Sequence, residues 1–209
     1  MATNMESGKE TPTRDTEDQK KGGILETLRF IVISLVLVFG IRYFIAQPFI
    51  VSGESMVPTF ENGEYLIVDE LSYRFEQPSR GDVIIMRYPL DTKKYFIKRI
   101  IGLPGETLSF EGTKITVTPA NGENPIVLSE PYLQNEKNDY IDVTLSDHEY
   151  YVLGDNRPAS SDSRRWGPLP EGDIIGRPLV RLFPLNRISW LPGEARYTTQ
   201  TQSATATTQ

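Results

Sequence analysis

Hydrophobic and polar positions divide the chain into regimes of different character. From Met1 to about Lys21 large apolar side chains are nearly absent, and Thr, Asp, Glu and Lys dominate. Residues 1–21 therefore bury too little surface to order themselves and are expected to be a disordered tail. The run Phe30-Ile-Val-Ile-Ser-Leu-Val-Leu-Val-Phe-Gly-Ile41 is uncharged and apolar, with Arg29 and Arg42 at its ends. A helix needs about 20 residues to cross a bilayer. Residues 22–45 reach that length when Arg29 and Arg42 extend their side chains to the two interfaces, which predicts a single transmembrane anchor. The alternatives are a buried core helix or the apolar region of a cleaved signal. Arg42, Tyr43 and Phe44 stand where a cleavable signal would place small residues, which favours an uncleaved anchor.

Beyond Gln47 the pattern changes to short apolar runs separated by turn residues, the mark of an all-β domain. Strands are predicted over 65–68, 83–88, 95–101, 115–117, 141–145, 150–153 and 174–183. Helical periodicity is absent outside the anchor. Turns are marked by Arg80-Gly-Asp82, Leu103-Pro-Gly105, Asn121-Gly122 and Gly167-Pro168. The stretch 107–146 is more polar and irregular than its flanks and is expected to be an insertion or cap on a β domain over 46–192. Residues 193–209 end in a Thr- and Gln-rich segment, read as a second disordered tail.

Composition narrows the chemistry. The 209 residues include no Cys and one His, His148, which removes thiolate chemistry, disulfides and nearly every zinc or haem arrangement, so no metal or cofactor is expected. A net charge of −6 and a pI near 5.0 argue against a nucleic-acid partner. Lys20 and Lys21 precede the apolar span, whereas Arg42 alone follows it before Arg74. That bias directs the N-terminus to the cytoplasm and the remainder outside.

Directly after the span comes Gln47-Pro-Phe-Ile-Val-Ser-Gly-Glu-Ser-Met-Val-Pro-Thr-Phe60. Ser55 lies in a Gly- and Pro-containing loop able to present a hydroxyl and an N–H to a ligand, although such a serine is also ordinary turn chemistry. Serine needs a base before it attacks. His148 lies among carboxylates at the start of a strand and reads as a solvated turn more readily than as a triad member. The other candidate is Lys98: in a strand over 95–101, Phe96, Lys98 and Ile100 share one face and Arg99 points to the other. Desolvation would lower the Lys98 pKa toward neutrality. The alternative, a lysine reaching solvent along a strand edge, stays open on spacing alone.

Taken together, Ser55-Met-Val-Pro-Thr59, Arg80-Gly-Asp-Val83, Phe96-Ile-Lys-Arg-Ile-Ile-Gly-Leu-Pro-Gly-Glu106, Gly154-Asp-Asn-Arg157, Ser160-Ser-Asp-Ser-Arg164 and Trp166-Gly-Pro168 closely resemble type I signal peptidase in its bacterial form. The blocks occur in that family's order, after an N-terminal anchor. The resemblance implies a mainly β fold: a single transmembrane helix, then an antiparallel β-sheet catalytic domain with a small inserted β cap. It implies a membrane-bound serine endopeptidase that removes signal peptides from secretory preproteins, cutting after small residues in an A-x-A pattern. Ser55 would be the nucleophile and Lys98 its general base. Ser160 would orient Lys98, and Asp162 and Arg164 would form an ion-pair network with Arg99. Phe49, Val51, Phe96 and Ile97 would line shallow pockets for the small side chains, core packing being the alternative for each.

The same resemblance implies a single-pass protein of the cell membrane, with its catalytic domain outside the cytoplasm. Its partners would be preprotein signal peptides, the lipid bilayer and neighbouring export machinery. One position departs from the pattern: Gly53 stands where part of the family has a hydroxyl that helps to stabilise the oxyanion. Two rival readings are a self-cleaving regulator on a related Ser/Lys β domain and an inactive membrane-tethered binding module. The first would carry a DNA-binding module or act in the cytoplasm, and the second has no need of Ser55, Lys98 and Ser160 together.

Overall fold

A computed structural model of the chain describes residues 26–38, 40, 46–195 and 197. The chain divides into two units, Met1–Tyr43 and Phe44–Gln209. In the first, residues 26–38 form helix α1, and large apolar side chains along it, Phe30 and Val36 among them, are exposed. Among the described residues no helix is long and apolar enough to cross a membrane. The rest of the span expected over 22–45, namely 22–25, 39 and 41–45, lies outside the described residues, as do the tail expected over 1–21 and residues 198–209.

The second unit is built from antiparallel strands: β1 (Ala46–Ile50), β2 (Tyr65–Asp69), β3 (Val83–Tyr88), β4 (Asp91–Gly102), β5 (Thr107–Gly112), β6 (Lys114–Thr118), β7 (Ile126–Val127), β8 (Asp139–Thr144), β9 (Glu149–Leu153), β10 (Leu169–Pro170), β11 (Ile174–Phe183) and β12 (Ser189–Trp190). One sheet runs β1-β2-β11-β3-β4-β9-β10 with β12 paired to β11, and the other runs β7-β6-β5-β8. Each predicted strand is present with ends shifted by a few residues. β1 and β5 were not predicted, nor were the two-residue strands β7, β10 and β12. β1 carries Pro48, which an edge strand tolerates, and β5 alternates buried and partly exposed positions in a sequence of mostly small or polar residues. The single turn α2 (Ser163–Trp166), capped by the Asp162 side chain, is too short to leave a periodic signal.

The central strands explain themselves by burial. In β3 the run Val-Ile-Ile-Met is apolar at every position because both faces are covered. Val83 and Ile85 join Met56, Phe60, Leu66, Val68 and Ile97 on one side, and Ile84 and Met86 join Ile100, Tyr150, Val152 and Leu169 on the other. The same holds for the second half of β4, where every residue from Ile97 to Gly102 is buried. A third cluster, including Ile101, Leu108, Phe110, Val117, Leu145 and Tyr151, fuses the two sheets.

Strand β11 links the halves of the large sheet, pairing with β2 through one part and with β3 through another, with register shifts between. The shift requires close approach at Gly176, where a Cβ would run into the backbone carbonyl of Asp69. Gly176→Ala is expected to destabilise the domain by about 1–3 kcal/mol, the usual cost of overpacking, read as a lower denaturant midpoint at unchanged slope. An unchanged midpoint would show that the crossing is less tightly constrained.

Candidate active site

Ser55 lies on the loop joining β1 to β2, and that loop is held at its base and on two flanks. At the base Val51 N donates to Glu64 O and Gly63 N donates to Val51 O, both at 2.9 Å. Met56 and Phe60 are sunk in the core as anchors. On one flank Arg181 donates to Thr59 O at 2.7 Å and Arg187 to Pro58 O at 3.2 Å. On the other, Asn156 N donates to Ser55 O at 3.0 Å and Asn156 Nδ2 to Glu54 O at 3.1 Å. Gly53, the departure from the family pattern, has a φ of 96°, a conformation that side chains disfavour. Its N–H is fixed on Asn62 Oδ1.

Lys98, on β4, is only 3% exposed, so the strand-edge alternative is excluded. Its Nζ lies 2.7 Å from Ser55 Oγ and 2.8 Å from the carbonyl of Ile97. Burial holds its pKa down to about 8, against the opposing pull of the Asp162 and Asp155 carboxylates. His148 is exposed and pairs with Glu171 at 2.9 Å; it makes no contact with Ser55.

The ion-pair network is wired differently from expectation. Arg99 does not pair with Asp162: its partner is Asp155, in a two-pronged contact of 2.8 Å (Nε to Oδ1) and 2.6 Å (Nη2 to Oδ2). Asp155 Oδ2 also accepts the Thr59 hydroxyl, tying the serine loop to the lysine strand. Asp162 is taken instead by Arg164, which also pairs with Asp139. Burial alone would raise the Asp162 pKa, but the Arg164 bonds and charge, the Ser160 hydroxyl and Gly154 N–H carry it below the ordinary value. The reason for the division is topological: Asp155 follows β9, which pairs with β4 through Arg99↔Leu153, whereas Asp162 is committed as the cap of α2.

Ser160 Oγ is buried and, among the described residues, makes no hydrogen bond to Lys98; its hydroxyl is directed instead to the Asp162 carboxylate, whose pKa it helps to lower. It sits over Gly154, where a Cβ would collide with both Ser160 and the Ser55 carbonyl, so only glycine fits.

Of the stretch 193–209 expected to be a tail, residues 193–195 and 197 are described, and Gly193 and Tyr197 contribute to the surroundings of Arg99. Arg99 donates to the carbonyls of Gly81 at 2.8 Å and Gly193 at 2.6 Å, and its guanidinium lies 4.0 Å from the centroid of the Tyr132 ring. The Tyr132 hydroxyl is bonded to Tyr197 and to Glu130, whose carboxylate pairs with Arg157. Asp155 stood within a recognised motif block and was legible as a candidate. Thr59 likewise closes the Ser55 block, whereas nothing in the local sequence marked Tyr132, Gly193 or Tyr197.

Ser55 and Lys98 lie on the wall of a cleft of about 260 Å³. Phe49, Val51, Phe96 and Ile97 all line it, joined by Ile85, Tyr95, Ala159 and Ser161, which were not singled out. A serine hydroxyl against an amine kept near neutrality, in a mostly apolar groove, is a pairing suited to acyl transfer.

The signal peptidase, peptidase S26, family model matches residues 24–183. A signal peptidase I of Leptolyngbya laminosa is 36% identical over 204 residues, covering 90% of this chain and 97% of that protein. Signal peptidase I P of Bacillus subtilis subsp. natto is 36% identical over 186 residues, covering 83% and 97% respectively. A crystal structure of a signal peptidase I from Enterococcus faecalis V583 aligns at a TM-score of 0.40 and 32% identity, over 49% of this chain and 97% of that one. The chain belongs to the signal peptidase family, peptidase S26, a family of serine endopeptidases.

Two stability predictions follow from the site. Arg99→Met leaves Asp155 buried and unpaired and is expected to cost about 3–5 kcal/mol, most of it recovered in Arg99→Met/Asp155→Leu; chemical denaturation of the set checks this, and equal losses in both variants would contradict it. Lys98→Met removes the buried amine. The unfolded chain holds that proton up to about 10.5 and the folded chain releases it near 8, so the parent gains stability as pH rises between those values. Lys98→Met should therefore be more stable than the parent below pH 8, by on the order of 3 kcal/mol, with the advantage vanishing above about 10.5.

Proposed function

We propose that this chain removes signal peptides from secretory preproteins, using Ser55 as nucleophile and Lys98 as general base and cutting after small residues in an A-x-A pattern. The observation that carries the reading is the 2.7 Å contact between Lys98 Nζ and Ser55 Oγ inside the cleft. In the first half-reaction the neutral amine takes the hydroxyl proton as Oγ bonds to the scissile carbonyl carbon. The resulting ammonium gives that proton to the departing amine, leaving an acyl-enzyme. Water then repeats the cycle with Lys98 again as base, releasing the acid and restoring Ser55. The Ser55 backbone N–H is a donor at hand for the oxyanion, and the φ of Gly53 accounts for the missing hydroxyl there.

Asp155 and Arg99 act as scaffold, holding the serine loop and the lysine strand together. Phe49, Val51, Phe96 and Ile97 give the cleft walls that a larger side chain would strike, which supports a preference for small residues. We place an anchor over 22–45, with the catalytic unit outside the cytoplasm, the lipid bilayer as a partner and the export machinery nearby. The exposed apolar side chains of α1 and the basic residues before it support this reading.

Cleavage of a detergent-solubilised precursor bearing an Ala-x-Ala signal, followed by N-terminal sequencing, tests the proposal. The intact chain should give one cut after the last Ala, with losses of about 10³-fold or more in Ser55→Ala and Lys98→Met. Because the working base is the neutral amine, kcat should rise with pH through about 8 and then level off; an acidic optimum would contradict Lys98 as base. Retained processing in Ser55→Ala would favour the binding-module reading.

A further inference from the structure

Phe96 and Lys98 project from the same face of β4, two residues apart. The Lys98 Nζ lies over the Phe96 ring, 5.3 Å from its centroid. The ring is itself fixed. Tyr88 stacks on it at a centroid distance of 4.7 Å and an interplanar angle of 26°, and Trp166 meets Tyr88 edge-on at 6.2 Å. An aromatic face attracts a cation within about 6 Å of its centroid, more strongly where water is excluded.

The other groups facing Lys98 are the Ser55 hydroxyl, the Ile97 carbonyl and, at longer range, the carboxylates of Asp162 and Asp155. Both carboxylates are already engaged by arginines, Arg164 and Arg99. We propose that the Phe96 ring stabilises the Lys98 ammonium that forms as Ser55 gives up its proton, raising the chemical rate through its π face. The inference rests on the Ser55/Lys98 reading above and is separate from any part Phe96 takes in shaping the cleft.

The proton moves from Ser55 Oγ to Lys98 Nζ while Oγ bonds to the carbonyl carbon, so charge on the amine grows from zero toward one in the transition state. A ring face that favours the charged form over the neutral one lowers that barrier, which is differential stabilisation. The benefit exists only where the resting amine is neutral. At pH values where Lys98 is already protonated, the ring stabilises resting and transition states alike, and removing its pull changes nothing. A packing defect, by contrast, would lower the rate at every pH.

Replacing Phe96 in the full chain by 4-fluoro-, 3,5-difluoro- and 3,4,5-trifluorophenylalanine weakens the π face stepwise while nearly keeping the ring's shape. With the Ala-x-Ala precursor, the alkaline plateau of kcat is expected to fall in steps, reaching about tenfold for the trifluoro ring, with KM changed less than about twofold. The apparent pKa of kcat should move down by about 1 over the series, and the acid limbs should superimpose. A plateau indifferent to fluorination, or a loss of equal size at all pH values, would overturn the proposal. Lys98→Met in the same assay keeps the two readings apart: activity retained there removes the Ser/Lys dyad itself, whereas an inactive Lys98→Met with a flat fluorine series removes only the role of Phe96.

Discussion

The burial of Lys98, which keeps its amine from water and draws its pKa down to about 8, is the constraint around which the domain is arranged. Its strand is covered on both faces, so the next residue, Arg99, is buried as well and has to be answered in full. Asp155 supplies a carboxylate, Gly81 and Gly193 supply carbonyls, and Tyr132 supplies a ring face. Asp155 in turn takes the Thr59 hydroxyl and stands next to Asn156, whose backbone holds the Ser55 carbonyl. One desolvated lysine therefore entails a buried cation beside it, and the groups that satisfy the cation also hold the Ser55 loop.

The balance is electrostatic as well as steric. Desolvation drives the lysine toward its neutral form, and the carboxylates of Asp162 and Asp155 oppose it. Each carboxylate is bound to an arginine, which offsets its field at the amine. A bare carboxylate in a medium of low dielectric would pull the proton back onto Lys98 much more strongly. Pairing Asp162 with Arg164 rather than with Arg99 is therefore more than a change of partner. It gives each carboxylate near the amine a counter-charge of its own.

How much of this is legible in the sequence depends on range. The strands that carry the site are written in local apolar runs, and Lys98 stands out because Phe96 and Ile100 share its face. Ser55 and the four cleft residues are marked by motif blocks close to them in sequence. The choice between Asp155 and Asp162 as the partner of Arg99 is not marked, because both occur in such blocks and only the β4–β9 register separates them. β5 alternates correctly but in residues too polar to announce a strand, and β1 begins with a proline-containing run beside the apolar span. Gly193 and Tyr197 looked like part of a polar tail, since nothing local shows that a buried guanidinium requires acceptors from there.

That last contact links residues 94 positions apart, while Ser55 and Lys98 are separated by only 43. Ser55 and Lys98 thus precede in the chain the carbonyl that completes the surroundings of Arg99, and the link from Thr59 to Asp155 spans a comparable 96 positions. A chain cut short before Gly193 would therefore carry Ser55 and Lys98 without the acceptor that completes the surroundings of the guanidinium beside them.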